Sequence, residues 1–222
     1  MLQSATIKFL KDLKKNNNKE WFDANRKVYE SAKQDFENLV QTVIGIYCKK
    51  DDGLASLKAK DCMFRINRDI RFSKDKSPYK TNFGASINKG GRKSILAGYY
   101  FHCEPSESFV GGGLWMPMPD DLKKVRQEID YCFDEFTKII NNKKFKVVYG
   151  ELHKGEDISL SRPPKGYEDS NPAIEFIKLK SFIAMQKLNE ADLTDSSLAK
   201  KIATAFDALQ PMVKFINRAL EG

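Results

Sequence analysis

The segment 64–73, FRINRDIRFS, contains the residues whose types and spacing best suit anion binding. If it forms a strand, its side chains alternate between two faces, and one face receives Arg65, Asn67, Asp69 and Arg71. Guanidinium groups bind phosphate or carboxylate oxygens in pairs, and an acidic neighbour can orient them. This face therefore predicts an anion site. The alternative, which we weight equally, is the solvated outer face of a half-exposed sheet.

Asp69 is the one catalytic candidate of this segment, because a carboxylate can act as a general base or a metal ligand. A single carboxylate without a partner is little evidence for either role. The motifs of serine hydrolases, of zinc metalloproteases and of nucleotide phosphate loops are absent from the chain. The sequence therefore does not name a reaction.

Arg68 falls on the opposite face of this strand, among Phe64, Ile66, Ile70 and Phe72. An unpaired buried charge is very costly, so Arg68 must reach solvent or meet a carboxylate. We favour an ion pair inside the protein over a place at the bottom of a ligand pocket, and keep Arg68 as a candidate ligand residue. We expect Phe64 and Phe72 to lie in the core rather than stack on nucleic-acid bases.

The following loop, 73–82, adds cationic and hydroxyl groups through Lys74, Lys76, Tyr79 and Lys80. Its Ser-Pro dipeptide favours an extended or turn conformation, which would present the next two side chains in a defined place. These groups extend the predicted anion site, with a simple solubilising loop as the alternative.

The distribution of charge supports this location. The 222 residues include 38 Lys and Arg and 30 Asp and Glu, a net charge of +8. Residues 58–93 hold eleven basic and three acidic side chains, so they contain the whole excess, and the other residues are neutral in sum. A local excess of this kind indicates an acidic or phosphorylated partner rather than general solubility.

Two other segments are predicted to form walls of the site: NNNKEWF, with Asn17 and Trp21, and GGGLW, with Gly112 and Trp115. Glycines in a strand mark a bulge, or the close approach of another backbone or a ligand. We favour the bulge over the ligand contact.

His102 and Glu104 are two residues apart, so a strand would place them on one face, as in a metal-binding or acid/base pair. A single H-x-E is a common pattern, and we interpret His102 as a structural histidine with satisfied hydrogen bonds. The four cysteines are scattered and predict reduced, mostly buried thiols rather than a zinc site. We predict no metal and no cofactor.

The order of predicted elements along the chain is helices, then neighbouring strands, then helices. This order predicts an α+β fold, with a mainly antiparallel sheet in the central third covered by N- and C-terminal helices. The predicted helices are 4–14, capped by Ser4, 19–47, about 120–140, a short one after residue 172, and 197–220, in which Pro211 should cause a kink or split. The predicted strands are 63–72, 83–87, 95–103, 108–115, 144–149 and 182–186. Without a linker or repeat, the chain is predicted to be a single domain over residues 1–222.

Four segments occur in the order typical of one family: NNNKEWFDANRKVYE (16–30), FRINRDIRFSKDKSPYKTNF (64–83), GYY followed by GGGLWMP (98–100 and 111–117), and RPPKGYEDSNPAIEFIKLKSF (162–182). Over essentially its whole length the chain resembles the bacterial conserved-hypothetical family known as domain of unknown function 2461. The RINRD-x-RFS-x-DKSPYK stretch is the most specific part. The resemblance implies membership and a single domain, and it supplies no activity, substrate or catalytic residue.

Three functions remain open. The first is binding of a phosphorylated or other anionic small molecule, with or without catalysis. The second is nucleic-acid binding, in which the same cations neutralise backbone phosphates. The third is a structural or partner-binding role, in which internal carboxylates such as Glu30, Asp35 or Glu128 neutralise the arginines of segment 64–73.

The chain has no apolar run long enough for a signal peptide or a transmembrane helix. We therefore expect a cytoplasmic protein without a membrane partner. The sequence makes no prediction of the oligomeric state.

Overall fold

The structure, a computed structural model, describes residues 1–222 and contains ten α-helices and four β-strands. The helices are α1 (Ser4–Lys15), α2 (Lys19–Ala24), α3 (Arg26–Tyr47), α4 (Ala59–Cys62), α5 (Pro119–Tyr131), α6 (Phe133–Ile140), α7 (Lys143–Tyr149), α8 (Ile174–Ile177), α9 (Glu190–Thr194) and α10 (Leu198–Glu221). The strands are β1 (Phe83–Ile87), β2 (Gly98–Cys103), β3 (Phe109–Leu114) and β4 (Phe182–Lys187). They form one antiparallel sheet in the order β1-β2-β3-β4, which confirms the predicted α+β class.

The chain packs as two compact units, each made of several chain segments. The first comprises Met1–Ser94, Tyr100–Val110 and Lys187–Thr204, and the second comprises Ile95–Tyr99, Gly111–Gln186 and Ala205–Gly222. The single domain expected over residues 1–222 stays a prediction.

The core of the first unit is built on α3, whose buried residues recur every three or four positions, as in an amphipathic helix. The ring of Phe36 lies 5.4 Å from that of Phe83 on β1 and 5.7 Å from that of Phe101 on β2. Apolar contacts of this kind fix the helix against the inner face of the sheet. Everything on the opposite face of β2 is consequently turned away from α3.

In the second unit, the C-terminal half of α10 packs on aromatic side chains. Phe206 stacks on Tyr99 at 4.7 Å, and Phe215 lies 5.3 Å from Phe136 of α6. The helix continues on both sides of Pro211, so the predicted split is absent. A proline removes one helical hydrogen bond, and the buried apolar face of α10 compensates for that loss.

Several predicted boundaries are wrong. The helix expected over 19–47 ends and restarts at Asn25, whose side-chain amide donates a hydrogen bond to the carbonyl of Trp21 (2.9 Å). The helix expected over about 120–140 is likewise divided at Cys132. The residue before α1 is Gln3 rather than the expected cap Ser4, and no side chain caps that helix.

The segment 144–149 is a helix rather than the expected strand. Asn142 accepts a hydrogen bond from the backbone N–H of Lys144, as an N-cap residue does, and α7 begins there. Phe145 and Tyr149, four residues apart, lie buried on one face, with ring centroids 5.4 Å apart. The packing of these two rings on one helical face therefore outweighs the preference of Val147 and Val148 for a strand.

The glycines of β3 are accounted for by close backbone contacts. A Cβ atom on Gly112 would lie 2.2 Å from the carbonyl oxygen of Gly98 and 2.8 Å from Cα of Tyr99, and its φ of 152° suits glycine alone. Of the three interpretations above, which are a bulge, the approach of another backbone and a ligand contact, the approach of another backbone explains this glycine. Its contact with a ligand stays a prediction.

The substitution Gly112→Ala should therefore destabilise the protein by about 2 kcal/mol or more, since overpacking and backbone strain each cost about 1–3 kcal/mol. The control is Gly45→Ala, because Gly45 lies in α3 and a Cβ added there would have no neighbouring atom within 4 Å. Alanine there should stabilise the helix by about 0.5–1 kcal/mol. Urea unfolding of both variants measures the free energies, and equal stability of the two would contradict the assignment.

Candidate functional site

The segment 63–80 forms a hairpin in the first unit, which we call the 63–80 hairpin. Two antiparallel bridges shape it: Met63 pairs with Ala85 of β1, and Asn67 pairs with Tyr79. The backbone N–H of Arg68 donates to the carbonyl of Pro78 (2.9 Å), so the two arms are paired near their middle. The hairpin thus presents its tip, residues 69–77, beyond the edge of the sheet.

The continuous strand expected over 63–72 is wrong, because local hydrogen bonds bend the chain after Arg68. The Asp69 carboxylate accepts the N–H of Arg71 (3.3 Å), and the N–H of Ser73 donates to the carbonyl of Ile70 (3.3 Å). Side-chain and turn hydrogen bonds of this kind compete with strand pairing. The alternation of faces therefore holds only for the arm before the bend.

The two aromatic residues expected in the core are not there. Phe72 is 95% exposed, and Phe64 is 38% exposed. Because the chain bends between them, Phe72 leaves the apolar face and stands at the hairpin tip. The guanidinium of Arg71 lies 5.7 Å from its ring.

Arg68 forms an ion pair within its own hairpin, but this pair is not the core pair that we favoured, because its partner Asp75 is exposed. Its guanidinium donates to the carboxylate of Asp75, to the carbonyl of Ser77 (3.1 Å) and to the hydroxyl of Ser73 (3.3 Å). Asp75 also accepts from the backbone N–H (2.9 Å) and the hydroxyl (2.7 Å) of Ser77. The bonds from Ser77 and then that from Arg68 lower the pKa of Asp75 to about 2.

Arg71 is also engaged, by Asp69. The two side chains form a forked ion pair, with Nε to Oδ1 at 3.0 Å and Nη2 to Oδ2 at 2.7 Å. This pairing lowers the pKa of Asp69, so the carboxylate considered as a base is held as an ion by its neighbour. Both side chains are exposed, and the pair lies at the surface of the tip.

None of the three distant carboxylates named above neutralises these arginines. Glu30 lies near Lys33 (3.7 Å), Asp35 accepts from the hydroxyl of Thr6 (2.6 Å), and Glu128 binds Arg218 (2.6 Å). The neutralising acids come instead from within the hairpin itself.

Tyr79 and Asn17 anchor the hairpin. The side-chain amide of Asn17 donates to the carbonyl of Tyr79 (2.9 Å), and its oxygen accepts the N–H of Tyr79 (3.1 Å). The Tyr79 ring is buried and stacks on Phe22 of α2, with centroids 3.9 Å apart. Trp21 is half-buried and stacks on Phe9 at 6.1 Å. Tyr79 is therefore an anchor, while its neighbour Lys80 is held in place by it.

The remaining cations of the hairpin differ in their surroundings. Lys76 donates to the carbonyl of Ile70 (3.0 Å), whereas Arg65 and Lys74 are exposed and make no hydrogen bond or ion pair. Lys80 is half-buried, and its ammonium lies 5.3 Å from the Phe64 ring without a carboxylate in ion-pair distance. Burial, followed by the charge of Arg65, lowers the pKa of Lys80.

Gly112 and Trp115 belong to the second unit, where Trp115 follows β3 and is 60% exposed. The role of Gly112 and Trp115 as walls of the site stays a prediction. Asn67 is exposed on the first arm of the hairpin, two residues from Arg65.

A second group of polar side chains lies on the outer face of β2 in the first unit. We call Thr81, Asn82, Tyr100, His102 and Glu104 the β2 cluster. His102 Nε2 lies 3.1 Å from a Glu104 oxygen, and the hydroxyl of Thr81 donates to the other oxygen at 2.7 Å. Tyr100 lies two residues before His102, so the alternation of side chains along β2 could have placed it on the same face as His102 and Glu104. Thr81 and Asn82 follow the hairpin in the chain, and no pattern in the sequence indicates that they join this face.

The structure contains no group of three or more His, Cys, Asp or Glu side chains placed to hold a metal ion. The four cysteines are free, and burial raises the pKa of Cys62 and of Cys103 to about 12, so both are thiols rather than nucleophilic thiolates. No helix combines the length and the apolar character that crossing a bilayer requires.

The hairpin tip should lose its order only in strong acid. The ionised Asp75 carboxylate stabilises the hairpin tip. Because the pKa of Asp75 is lowered from 3.8 to about 2, this stabilisation is fully present above the ordinary pKa and is lost as the pH falls through about 2. The amide resonance of Ser77, followed by NMR during acid titration, should have its midpoint near 2. The substitution Arg68→Gln should move that midpoint upward, and Arg71→Gln, which touches Asp69 instead, should not.

Amides of β1 and β2 distinguish this local event from general unfolding. A Ser77 midpoint at the ordinary value of 3.8 in the unaltered protein would contradict the described hydrogen bonds.

A comparison with family models identifies one match, described as conserved hypothetical protein (DUF2461), over residues 5–215. Comparisons with curated proteins and with solved structures find no match. The family match covers nearly the whole chain and agrees with the resemblance carried by the hairpin segment. The chain therefore belongs to the DUF2461 family of conserved hypothetical proteins.

Proposed function

We propose that this protein binds a phosphorylated or otherwise anionic small molecule at Arg65 and Lys80 of the 63–80 hairpin. The observation that carries the proposal is the surroundings of Lys80. Its ammonium is half-buried beside the like charge of Arg65, and no carboxylate lies within ion-pair distance of either group.

Such an arrangement is unfavourable in the unliganded protein. Partial burial removes water from the ammonium, and a neighbouring guanidinium adds repulsion, so both effects disfavour the charged form. The Phe64 ring offsets a part of this cost through its contact with the ammonium. A bound anion would interact favourably with both cations and would offset their mutual repulsion.

The other cations of the hairpin have a supporting role in this proposal. Arg68 and Arg71 are engaged by Asp75 and Asp69, so they stabilise the bend and the tip rather than meet the ligand. Asn67 is exposed two residues from Arg65 and can donate its amide to an anion. Lys74 and Lys76 add positive potential at the tip, which attracts an anion from solution.

The test is anion-dependent thermal stabilisation with inorganic phosphate. At a phosphate concentration ten times Kd, binding adds about 1.4 kcal/mol, which corresponds to about 3–6 °C in Tm for a chain of this size. The double variant Arg65→Ala/Lys80→Ala should lose this shift. The control is Lys123→Ala/Lys124→Ala, which removes the same charge from two exposed lysines of α5 in the second unit and should keep it.

Two results would refute the proposal: phosphate and sulfate that leave Tm unchanged at low ionic strength, or an equal shift in both double variants. The second result would indicate that the anions act on net charge alone.

A second candidate, single-stranded nucleic acid, is favoured by the exposed ring of Phe72. It stands at the tip with Arg71 beside it and with Lys74 and Lys76 nearby in the chain. Exposed rings flanked by cations bind unpaired bases by stacking, while the cations bind the backbone phosphates. This candidate uses the tip, whereas the first uses the arms of the hairpin.

Replacement of Phe72 by alanine should weaken binding of a fluorescent oligothymidine by about 1–3 kcal/mol for each stacked base. The control is Tyr131→Ala, since Tyr131 is a strongly exposed aromatic residue (82%, against 95% for Phe72) of the second unit. Affinity should also fall with salt, by about 0.7 log unit per log unit of salt for each phosphate neutralised. Absence of binding at low salt, or an equal loss in both variants, would exclude this candidate.

The cysteines favour a reducing compartment, and we place the protein in the cytoplasm as a part of this proposal. All four are unpaired, and two are buried thiols.

A further inference from the structure

We propose that the β2 cluster is a proton-transfer site, in which Nδ1 of His102 accepts a proton from a hydroxyl group of the bound molecule. The identity of that molecule rests on the function proposed above, because the Phe64 ring lies 5.3 Å from the Lys80 ammonium and 6.2 Å from the Tyr100 ring of the β2 cluster. The substrate class is therefore a phosphorylated or carboxylated compound that also carries a hydroxyl group.

The contact with Glu104 assigns the proton on the imidazole. An ionised carboxylate can only accept, so the His102 Nε2 atom at 3.1 Å must carry the hydrogen. In the neutral ring, Nδ1 then holds the free electron pair. The Glu104 side chain orients the ring and would stabilise the positive charge that forms when Nδ1 takes a proton.

The charge of Glu104 is itself maintained by its neighbours. Burial acts to raise the pKa of this carboxyl, but the bonds from Thr81 (2.7 Å) and His102 outweigh it and hold the pKa below its ordinary value. Lys14 lies 3.9 Å from the same carboxylate oxygen as Thr81. The titratable and charged groups that face the imidazole from β2, and from α1 behind Glu104, are thus Tyr100, Glu104 and Lys14.

The Nδ1 atom of the imidazole has only weak hydrogen-bond partners within the protein. Nδ1 is 3.4 Å from the Asn82 amide nitrogen and 3.5 Å from the Tyr100 hydroxyl, distances at which hydrogen bonds are weak. The ring plane is fixed by stacking on Phe109, with centroids 4.8 Å apart. A ligand hydroxyl near Nδ1 would find both a proton acceptor and two donors.

Tyr100 is suited to donate rather than to accept. Burial, aided by the charge of Glu104, raises the pKa of its phenol to about 12, so the hydroxyl keeps its proton at neutral pH. The absence of a side chain at Gly84 leaves space for this hydroxyl, because a Cβ atom at residue 84 would lie 2.4 Å from the Tyr100 oxygen. The Phe64 ring connects the two regions: it is 6.2 Å from the Tyr100 ring and 5.3 Å from the Lys80 ammonium.

The proposed step transfers one proton and needs no other reactant. The O–H bond of the ligand breaks, its electron pair stays on the oxygen, and a new N–H bond forms at His102 Nδ1. The imidazolium is stabilised by Glu104, and the phenol of Tyr100 donates to the oxygen that gains negative charge. The return of the proton reverses the step.

The tautomer provides the first test. The chain has two histidines, His102 and His153, so ¹⁵N spectra of the unaltered protein and of His153→Gln assign the two rings directly. At pH 8 the His102 ring should carry a hydrogen on Nε2 and none on Nδ1. The substitution Glu104→Gln should remove this preference while it leaves the His153 ring unchanged. A hydrogen on Nδ1 in the unaltered protein would overturn the proposal.

Chemical modification provides the second test and separates the two proposals. Diethyl pyrocarbonate reacts with an unprotonated, accessible imidazole nitrogen, and mass spectrometry of peptides locates the product. His102 should react, and phosphate at ten times its Kd should slow this reaction by about tenfold, as site occupancy requires. The rate at His153 is the internal control and should not respond to phosphate.

The double variant Arg65→Ala/Lys80→Ala should keep the reaction at His102 and lose its protection by phosphate. Failure of His102 to react in folded protein would overturn the proton-transfer site while the thermal test of anion binding stands. Reaction without protection in the unaltered protein would overturn the stated substrate class, because the anion would then lie away from His102.

Discussion

The pairing of Asn17 with the backbone of Tyr79 is the interaction on which the rest of the candidate site depends. One side chain supplies both a donor and an acceptor to the same residue, as a neighbouring strand would, and it does so at the end of an irregular hairpin. Both hydrogen bonds are part-buried, and the Tyr79 ring next to them stacks on Phe22; hydrogen bonds strengthen where water is partly removed. The positions of Lys80, Thr81 and Asn82, which follow directly, are set by this anchor.

The charges of the hairpin divide into two functional groups for a simple physical reason. Its acidic residues, Asp69 and Asp75, lie at the bend and reach only the arginines near them. Each pair satisfies backbone groups as well, so these ions stabilise a loop shape. The arms contain no acidic side chain, and two of their cations, Arg65 and Lys80, have no carboxylate within ion-pair distance, whereas Arg68 reaches Asp75 at the tip. A count of charged residues along the chain adds the cations that are paired with Asp69 and Asp75 to those that are not, so it cannot tell the two kinds apart.

The α+β class, the sheet strands β1 and β4, and the amphipathic helices follow from the sequence, because their apolar residues recur with the period of the element. The hairpin does not, since Asp69 and Ser73 end strand pairing through local bonds that period-two alternation ignores. A local hydrogen bond also explains why residues 144–149 form helix α7 rather than the expected strand: Asn142 caps the N-terminus of this helix, and alternation of apolar residues does not reveal such a cap. In the site, Arg65 and Lys80 are among the predicted residues, and the sequence favours the internal pairing of Arg68. It indicates only a structural role for His102, because one H-x-E pattern does not reveal Thr81 and Asn82, which reach the cluster from another part of the chain.

The contact between Gly84 and the Tyr100 hydroxyl links two positions on adjacent strands of the sheet. A side chain at residue 84 and a phenol at residue 100 cannot occupy the same volume, since the two atoms would be 2.4 Å apart. The two positions therefore form one steric unit that spans adjacent strands. A larger residue at position 84 would therefore displace the Tyr100 hydroxyl from its present place 3.5 Å from His102 Nδ1.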